Sequence, residues 1–192
     1  DKTGTITKNE MTVREIYVND KVIKVTGSGF DTKGEFYDGN AKINPQNIDG
    51  LSLVLRIGAL CNNAQLETKS KKVTLVGDPT EIALLISAVK AGINLKELSK
   101  TYPRIREFPF DSVRKRMTTI HMTPEGDKVA YVKGAPEVIL QLCSHIYLNG
   151  KVKELTEEKR RQLLEIVQEM ASRALRVLAM AYKKLDETEE YI

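Results

Sequence analysis

The chain has 192 residues, 41% of them hydrophobic and 29% charged, with a formal net charge of +4, two cysteines, two histidines and no tryptophan. This is an ordinary globular composition, long enough for one domain with a sizeable core. The small, dispersed charge favours an anionic small ligand and argues against a nucleic-acid interface, and no run approaches the roughly 18–20 apolar residues of a membrane helix.

The elements follow from periodicity. Met11–Val18 alternates in part, Asn19-Asp20 makes a turn and Lys21–Val25 alternates again, which predicts a hairpin. Thr26–Asn47 is rich in Gly, Asp and Asn, with a short strand at Gly34–Tyr37. Apolar spacing over Asn47–Asn63 predicts a largely buried helix. Lys69–Leu75 reads as a basic loop leading into a short strand. A second helix opens at Asp78-Pro79-Thr80-Glu81 and runs to about Lys90, with Gly92 just past its end. Leu95–Lys100 adds a helical turn.

Arg104–Phe108, Arg116–Met122 and Lys128–Val132 read as strands, the last two joined by a turn at Pro124–Asp127. Pro136–Cys143 starts a helix with proline in its first turn, and Ile146–Lys153 is a hairpin around Asn149-Gly150. Thr156 caps an amphipathic helix to about Ser172, Arg176–Tyr182 is a last strand and Asp186–Ile192 an acidic tail. Hairpins outnumber βαβ crossovers. The expected fold class is α+β, a mainly antiparallel twisted β-sheet flanked by helices.

Cys61 and Cys143 lie far apart and read as reduced core thiols. His145 follows Cys143 closely, but no second Cys/His pair completes a zinc site. His121 reads as a strand residue, and neither histidine is given a role. No signal peptide, P-loop or dinucleotide fingerprint is present.

The chemistry concentrates in the first seven residues, Asp1-Lys2-Thr3-Gly4-Thr5-Ile6-Thr7. One carboxylate stands among hydroxyls, a lysine and a glycine. That grouping suits phosphoryl transfer to the carboxylate, with lysine and backbone N–H groups offsetting the developing charge. The run resembles the phosphorylation motif of P-type ATPases, the ion pumps that form an aspartyl-phosphate. A nucleophile at a fraying terminus cannot work, so the chain is expected to be a piece of a larger protein.

Four further stretches resemble the same family. Lys133-Gly134-Ala135-Pro136-Glu137 is similar to its adenine-pocket motif. Lys133 would lend charge and a hydrocarbon stem to pack on a ring, and Gly134 would leave room for a flat base. The plainer reading is a strand–turn–helix corner with a solvated lysine. In Phe110-Asp111-Ser112-Val113-Arg114-Lys115-Arg116-Met117 the aromatic and the lysine five residues on match the family's adenine-stacking residue and nucleotide lysine. Met117 is placed at the same pocket. The plainer readings are a core phenylalanine and a solvated basic turn. Calcium pumps of the muscle type carry an arginine two residues after the aromatic. This chain has Ser112 there, leaving Arg114 or Arg116 for a phosphate contact.

Gly77–Glu81 resembles the stretch carrying an acid near the adenine amino group, which makes Glu81 a nucleotide-binding candidate. Asp78, Pro79 and Glu81 also read as an Asp version of a capping box. Arg176 matches an arginine that reaches the phosphates, against the plainer reading of a strand-edge arginine paired with a surface acid.

The resemblance is to type II cation pumps, nearest to calcium-type members. No His-Pro pair of the heavy-metal pumps is present. It implies residues 1–8 as a remnant of the phosphorylation domain, 9–186 as the nucleotide-binding domain and 187–192 as a linker back. It also implies ATP and Mg²⁺ as cofactors. The expected partners are the phosphorylation, actuator and transmembrane domains of the pump. The expected setting is a soluble, monomeric cytoplasmic domain of a membrane protein. Asp1, Lys2 and Thr3 would form the catalytic group, with Asp1 and Thr3 near Mg²⁺. The acids that complete that metal site are expected elsewhere in the pump. The competing readings are a small aspartate-nucleophile phosphatase of the same superfamily and a ligand-free interaction domain.

Overall fold

The computed structural model describes residues 10–187. The chain divides into two compact units, with the division between Leu98 and Ser99.

The first unit opens with a four-stranded antiparallel meander. Its strands are β1 (Glu15–Val18), β2 (Lys21–Val25), β3 (Phe36–Asp38) and β4 (Ala41–Ile43), paired in that order. Asn19 and Asp20 both take positive φ, 53° and 58°, the primed turn that matches strand twist. Period-two alternation turns Ile16, Val18, Ile23, Val25 and Phe36 to one face. There they pack with Leu51 and Leu55 of helix α1 (Asp49–Leu60). The sequence foresaw this helix and hairpin. It missed β4, and it began α1 two residues early because Pro45–Asn47 forms a separate 3₁₀ turn.

Residues 65–76 correct an expectation. The stretch read as a loop before a strand is a hairpin of β5 (Gln65–Lys69) and β6 (Lys72–Val76). Its turn, Ser70-Lys71, is left-handed at both positions, φ 50° and 69°, without the Asn or Gly that usually announces one. Helix α2 (Pro79–Lys90) follows, and the Asp78 carboxylate accepts the N–H groups of Thr80 at 2.9 Å and Glu81 at 3.4 Å. Ile82, Leu85 and Ile86 of α2 form a second cluster with Ala64, joined by Leu66 and Leu75 of the hairpin. Helix α3 (Leu95–Thr101) contains the division between the units.

The second unit is built on an antiparallel sheet of β7 (Arg104–Asp111), β8 (Arg116–Met122), β9 (Lys128–Gly134) and β12 (Ala179–Leu185). Its spatial order is β12-β9-β8-β7. Helix α4 (Pro136–Leu142) packs on β9 and β12, and helix α5 (Glu157–Ser172) packs on α4. Between the helices lies the hairpin of β10 (His145–Leu148) and β11 (Lys151–Glu154), turning at Asn149-Gly150 as expected. The Thr156 hydroxyl accepts the Lys159 N–H at 3.1 Å, the predicted cap of α5. Met117, Thr119 and His121 of β8 and Val129, Tyr131 and Lys133 of β9 share one face of the sheet and are all buried.

Strand β12 begins three residues later than the sequence suggests. The chain leaves α5 through Ala174 at φ 60°, and the Leu175 N–H returns to the Met170 carbonyl at 3.3 Å. Leu175–Leu178 is the crossing to the sheet and not its strand. The α+β class and the dominance of antiparallel pairing stand as expected.

Candidate functional site

Strand pairing in the second unit brings distant sequence segments to one end of the sheet. Asp111 of β7 is opposite Arg116 of β8, Arg116 is opposite Gly134 of β9, and Gly134 is opposite Ala179 of β12. The next row inward holds Met117, Lys133 and Met180. Phe110, Lys115, Met117, Lys133 and Gly134 therefore lie in these two rows or next to them, and Arg176 is three residues before the row's Ala179. The opposite end of the same sheet is the row Met122, Lys128 and Leu185.

Phe110 is 64% exposed, which rules out the core-aromatic reading. Its placement follows from the edge strand. The β7–β8 register shifts between Phe108 and Asp111, so two residues of β7, Pro109 and Phe110, oppose one of β8. Pro109, which has no N–H for a ladder, sits in that bulge on the outer strand. A bulge re-aims the side chains around it, here Phe110.

Ser112–Lys115 turn the chain from β7 to β8. The Asp111 carboxylate accepts the N–H groups of Val113 and Arg114, both at 2.8 Å, and its carbonyl accepts the Lys115 N–H at 2.6 Å. The bond from Arg114, then that from Val113, holds the Asp111 carboxyl below the usual carboxylate range. Lys115 closes the turn at φ 53° and is exposed. The flanking arginines are engaged with the turn itself. Arg114 donates to the Pro109 carbonyl at 2.9 Å and Arg116 to the Arg114 carbonyl at 3.3 Å.

Gly134 makes a close backbone approach of its own. A Cβ there would lie 2.4 Å from the Lys115 carbonyl oxygen and 2.8 Å from Arg116 Cβ. The glycine lets the turn close over β9, and the next residue, Ala135, donates its N–H to that same carbonyl at 3.0 Å. Lys133 is 8% exposed, which corrects the solvated-lysine reading: its stem lies in the sheet face between Met117 and Met180. Arg176 is exposed in the crossing before β12, not in the strand, because of the left-handed exit from α5.

Glu81 belongs to the first unit. Asp78 caps α2 as foreseen, but a Glu81 carboxylate oxygen accepts the Asn63 N–H at 2.9 Å, tying the start of α2 to the chain leaving α1. Asn62 reinforces the tie. Its amide donates to the carbonyls of Gly58 and Glu81, at 3.0 and 2.8 Å, and accepts the Ala64 N–H at 2.8 Å. Asp1, Lys2 and Thr3 lie outside the described residues. Among the described residues, no group of three or more His, Cys, Asp or Glu side chains is placed to hold a metal, and no helix is long and apolar enough to cross a membrane.

Asp111 was missed as a structural determinant, although an Asp opening a polar, basic turn is a known signal for side-chain capping of backbone N–H groups. Asn62 carried no such signal, because its partners are set by tertiary packing.

Comparison with known proteins places the chain. Residues 50–191 match the model of the P-type ATPase cytoplasmic domain N. A calcium-transporting ATPase of Bacillus subtilis is 38% identical over 185 residues, 96% of this chain and 21% of the relative. A cation-transporting ATPase of Synechocystis is 40% identical over 97% of this chain and 21% of its own length. A calcium-transporting ATPase of Listeria monocytogenes is 37% identical over 98% of this chain and 20% of its own length. The chain spans about a fifth of the length of these curated relatives. With both the domain model and whole-chain identity in agreement, the chain belongs to the P-type ATPase family, as its cytoplasmic domain N.

Proposed function

We propose that the chain binds ATP for a P-type cation-transporting ATPase, with the nucleotide at the Phe110–Gly134 end of the second unit's sheet. The observation that carries this reading is the convergence, in and beside one pair of rows, of an exposed aromatic, an exposed lysine and a glycine-built close approach. Phe110 offers a ring for the adenine, and such a stack is worth about 1–3 kcal/mol. Lys115 and Arg176 supply positive charge to the phosphates, while the stems of Met117 and Lys133 form an apolar floor.

In the longer protein, the Asp1 carboxylate would attack the γ-phosphorus. A P–O bond forms on Asp1, the bond to the β-phosphate oxygen breaks and ADP leaves; water later hydrolyses the acyl phosphate. Mg²⁺ would neutralise phosphate charge during the transfer. Lys2 and Thr3 would position the γ-phosphate. Phosphorylation, actuator and transmembrane domains would be the partners and a cation the cargo, in a pump whose domain N faces the cytoplasm. The printed names of the relatives favour calcium.

Calorimetric titration of the chain with ATP tests the binding step. The expected Kd is about 0.1–5 mM, since one aromatic and few charges act without the rest of the pump. Absence of binding at roughly 20 mM ATP would overturn the proposal.

A further inference from the structure

The turn between β7 and β8 has little apolar packing at its apex. Val113 is 87% exposed, and Ser112 and Lys115 are exposed as well. Yet it holds a non-glycine residue, Lys115, at φ 53°, a conformation that persists only where its surroundings impose it. On one side the restraint comes from Asp111, whose carboxylate and carbonyl together take three N–H groups of the turn. On the other side, Gly134 and the Ala135 N–H meet the Lys115 carbonyl.

We infer that Asp111 is a positioning residue for the nucleotide: by holding this turn it fixes Lys115, and so sets affinity for the phosphates without touching the ligand. The inference rests on the reading of Phe110 and Lys115 as nucleotide contacts. It runs against simple electrostatics. A carboxylate near a polyanion repels it, so on charge alone both Asp111→Ala and Asp111→Asn strengthen ATP binding. Positioning separates the two variants. Asparagine keeps the Oδ1 acceptor for the Val113 and Arg114 N–H groups, and alanine does not.

The test measures ATP and adenosine affinity for the whole 192-residue chain, its two Asp111 variants, Lys115→Ala and the Asp111→Ala/Lys115→Ala double variant. Asp111→Ala should weaken ATP about three- to tenfold while leaving adenosine within about twofold, which also certifies the fold. Asp111→Asn should bind ATP at least as well as the wild type. In the Lys115→Ala background, Asp111→Ala should add nothing, because the group it positions is gone. Unchanged or tighter ATP binding by Asp111→Ala, an equal loss for adenosine, or additive losses in the double variant would overturn the inference. If Lys115→Ala itself leaves ATP affinity unchanged, the nucleotide reading of this end falls, and the positioning role with it. If Lys115→Ala loses affinity and Asp111→Ala does not, only the positioning role falls.

Discussion

The backbone N–H of Asn63 donates to the Glu81 carboxylate across 2.9 Å, joining the chain that leaves α1 to the first turn of α2. This bond is structural work of Glu81, distinct from the base-reading role that its motif resemblance implies. Glutamine retains an acceptor for Asn63, so Glu81→Gln should change stability by no more than about 0.5 kcal/mol, whereas Glu81→Ala should cost about 1 kcal/mol. A carboxylate that accepts from the adenine amino group would be weakened by the same change to glutamine. If Glu81 has that role as well, Glu81→Gln lowers ATP affinity by more than inosine triphosphate affinity. Equal affinities before and after the change would leave Glu81 with its structural bond alone.

Gly134 is expected to resist replacement. In Gly134→Ala the new methyl meets backbone, the Lys115 carbonyl oxygen at 2.4 Å, which cannot swing aside as a side chain can. The expected cost is about 1–3 kcal/mol, together with weaker ATP binding as the turn is displaced. Gly39→Ala is the comparison. Nothing lies within 4 Å of a Cβ there, and its φ of +59° alone sets a cost of about 1 kcal/mol. It should leave ATP affinity intact. Thermal unfolding and calorimetry of both variants check this.

Phe110→Ala and Lys115→Ala should each weaken ATP about tenfold or more, or about 1.4 kcal/mol, with little change in melting temperature. The fold is spared because both side chains are exposed. Wild-type affinity in both variants would move the nucleotide elsewhere.

Much of the architecture was legible because it rests on local chemistry. Asn19-Asp20, Asn149-Gly150, the Asp78 cap and the Thr156 cap announce themselves in residue type. What stayed hidden is set by tertiary context. Ser70-Lys71 takes a primed turn that neither residue favours, and Leu175-Arg176-Val177-Leu178 imitates the alternation of a strand while the chain is still crossing from α5. The candidate residue types were readable from motif resemblance. Their convergence was not, because the row Asp111, Arg116, Gly134 and Ala179 exists only through sheet register, and the bulge that exposes Phe110 has no sequence mark beyond Pro109. The close approach of Gly134 to the Lys115 carbonyl is likewise set by register and has no mark in the local sequence.

His121 makes stability depend on pH. It is 1% exposed, with Nδ1 2.8 Å from the Tyr102 carbonyl and Nε2 2.8 Å from the Thr119 hydroxyl. A carbonyl only accepts, so Nδ1 carries the proton and Nε2 of the neutral ring accepts from Thr119. Burial pushes the imidazole pKa below its ordinary value, only partly offset by the Tyr102 bond. The folded state therefore binds this proton less readily than the unfolded chain. The neutral ring's contribution is fully present above the unfolded pKa, about 6.5, and is lost as pH falls through the lower folded value. Urea unfolding between pH 7.5 and 5 should show that decline, and His121→Gln should flatten it. Equal slopes for both proteins would contradict the assignment.

Binding of ATP at the Phe110–Gly134 end of the sheet is decided by a two-dimensional amide NMR titration of the chain with ATP. The account predicts saturable shifts with a Kd of about 0.1–5 mM. They should concentrate on Phe110, Lys115, Met117, Lys133 and Gly134, with Met122, Lys128 and Leu185 at the opposite end of the same sheet unmoved. Shifts centred on that opposite row, or none at roughly 20 mM ATP, would contradict it.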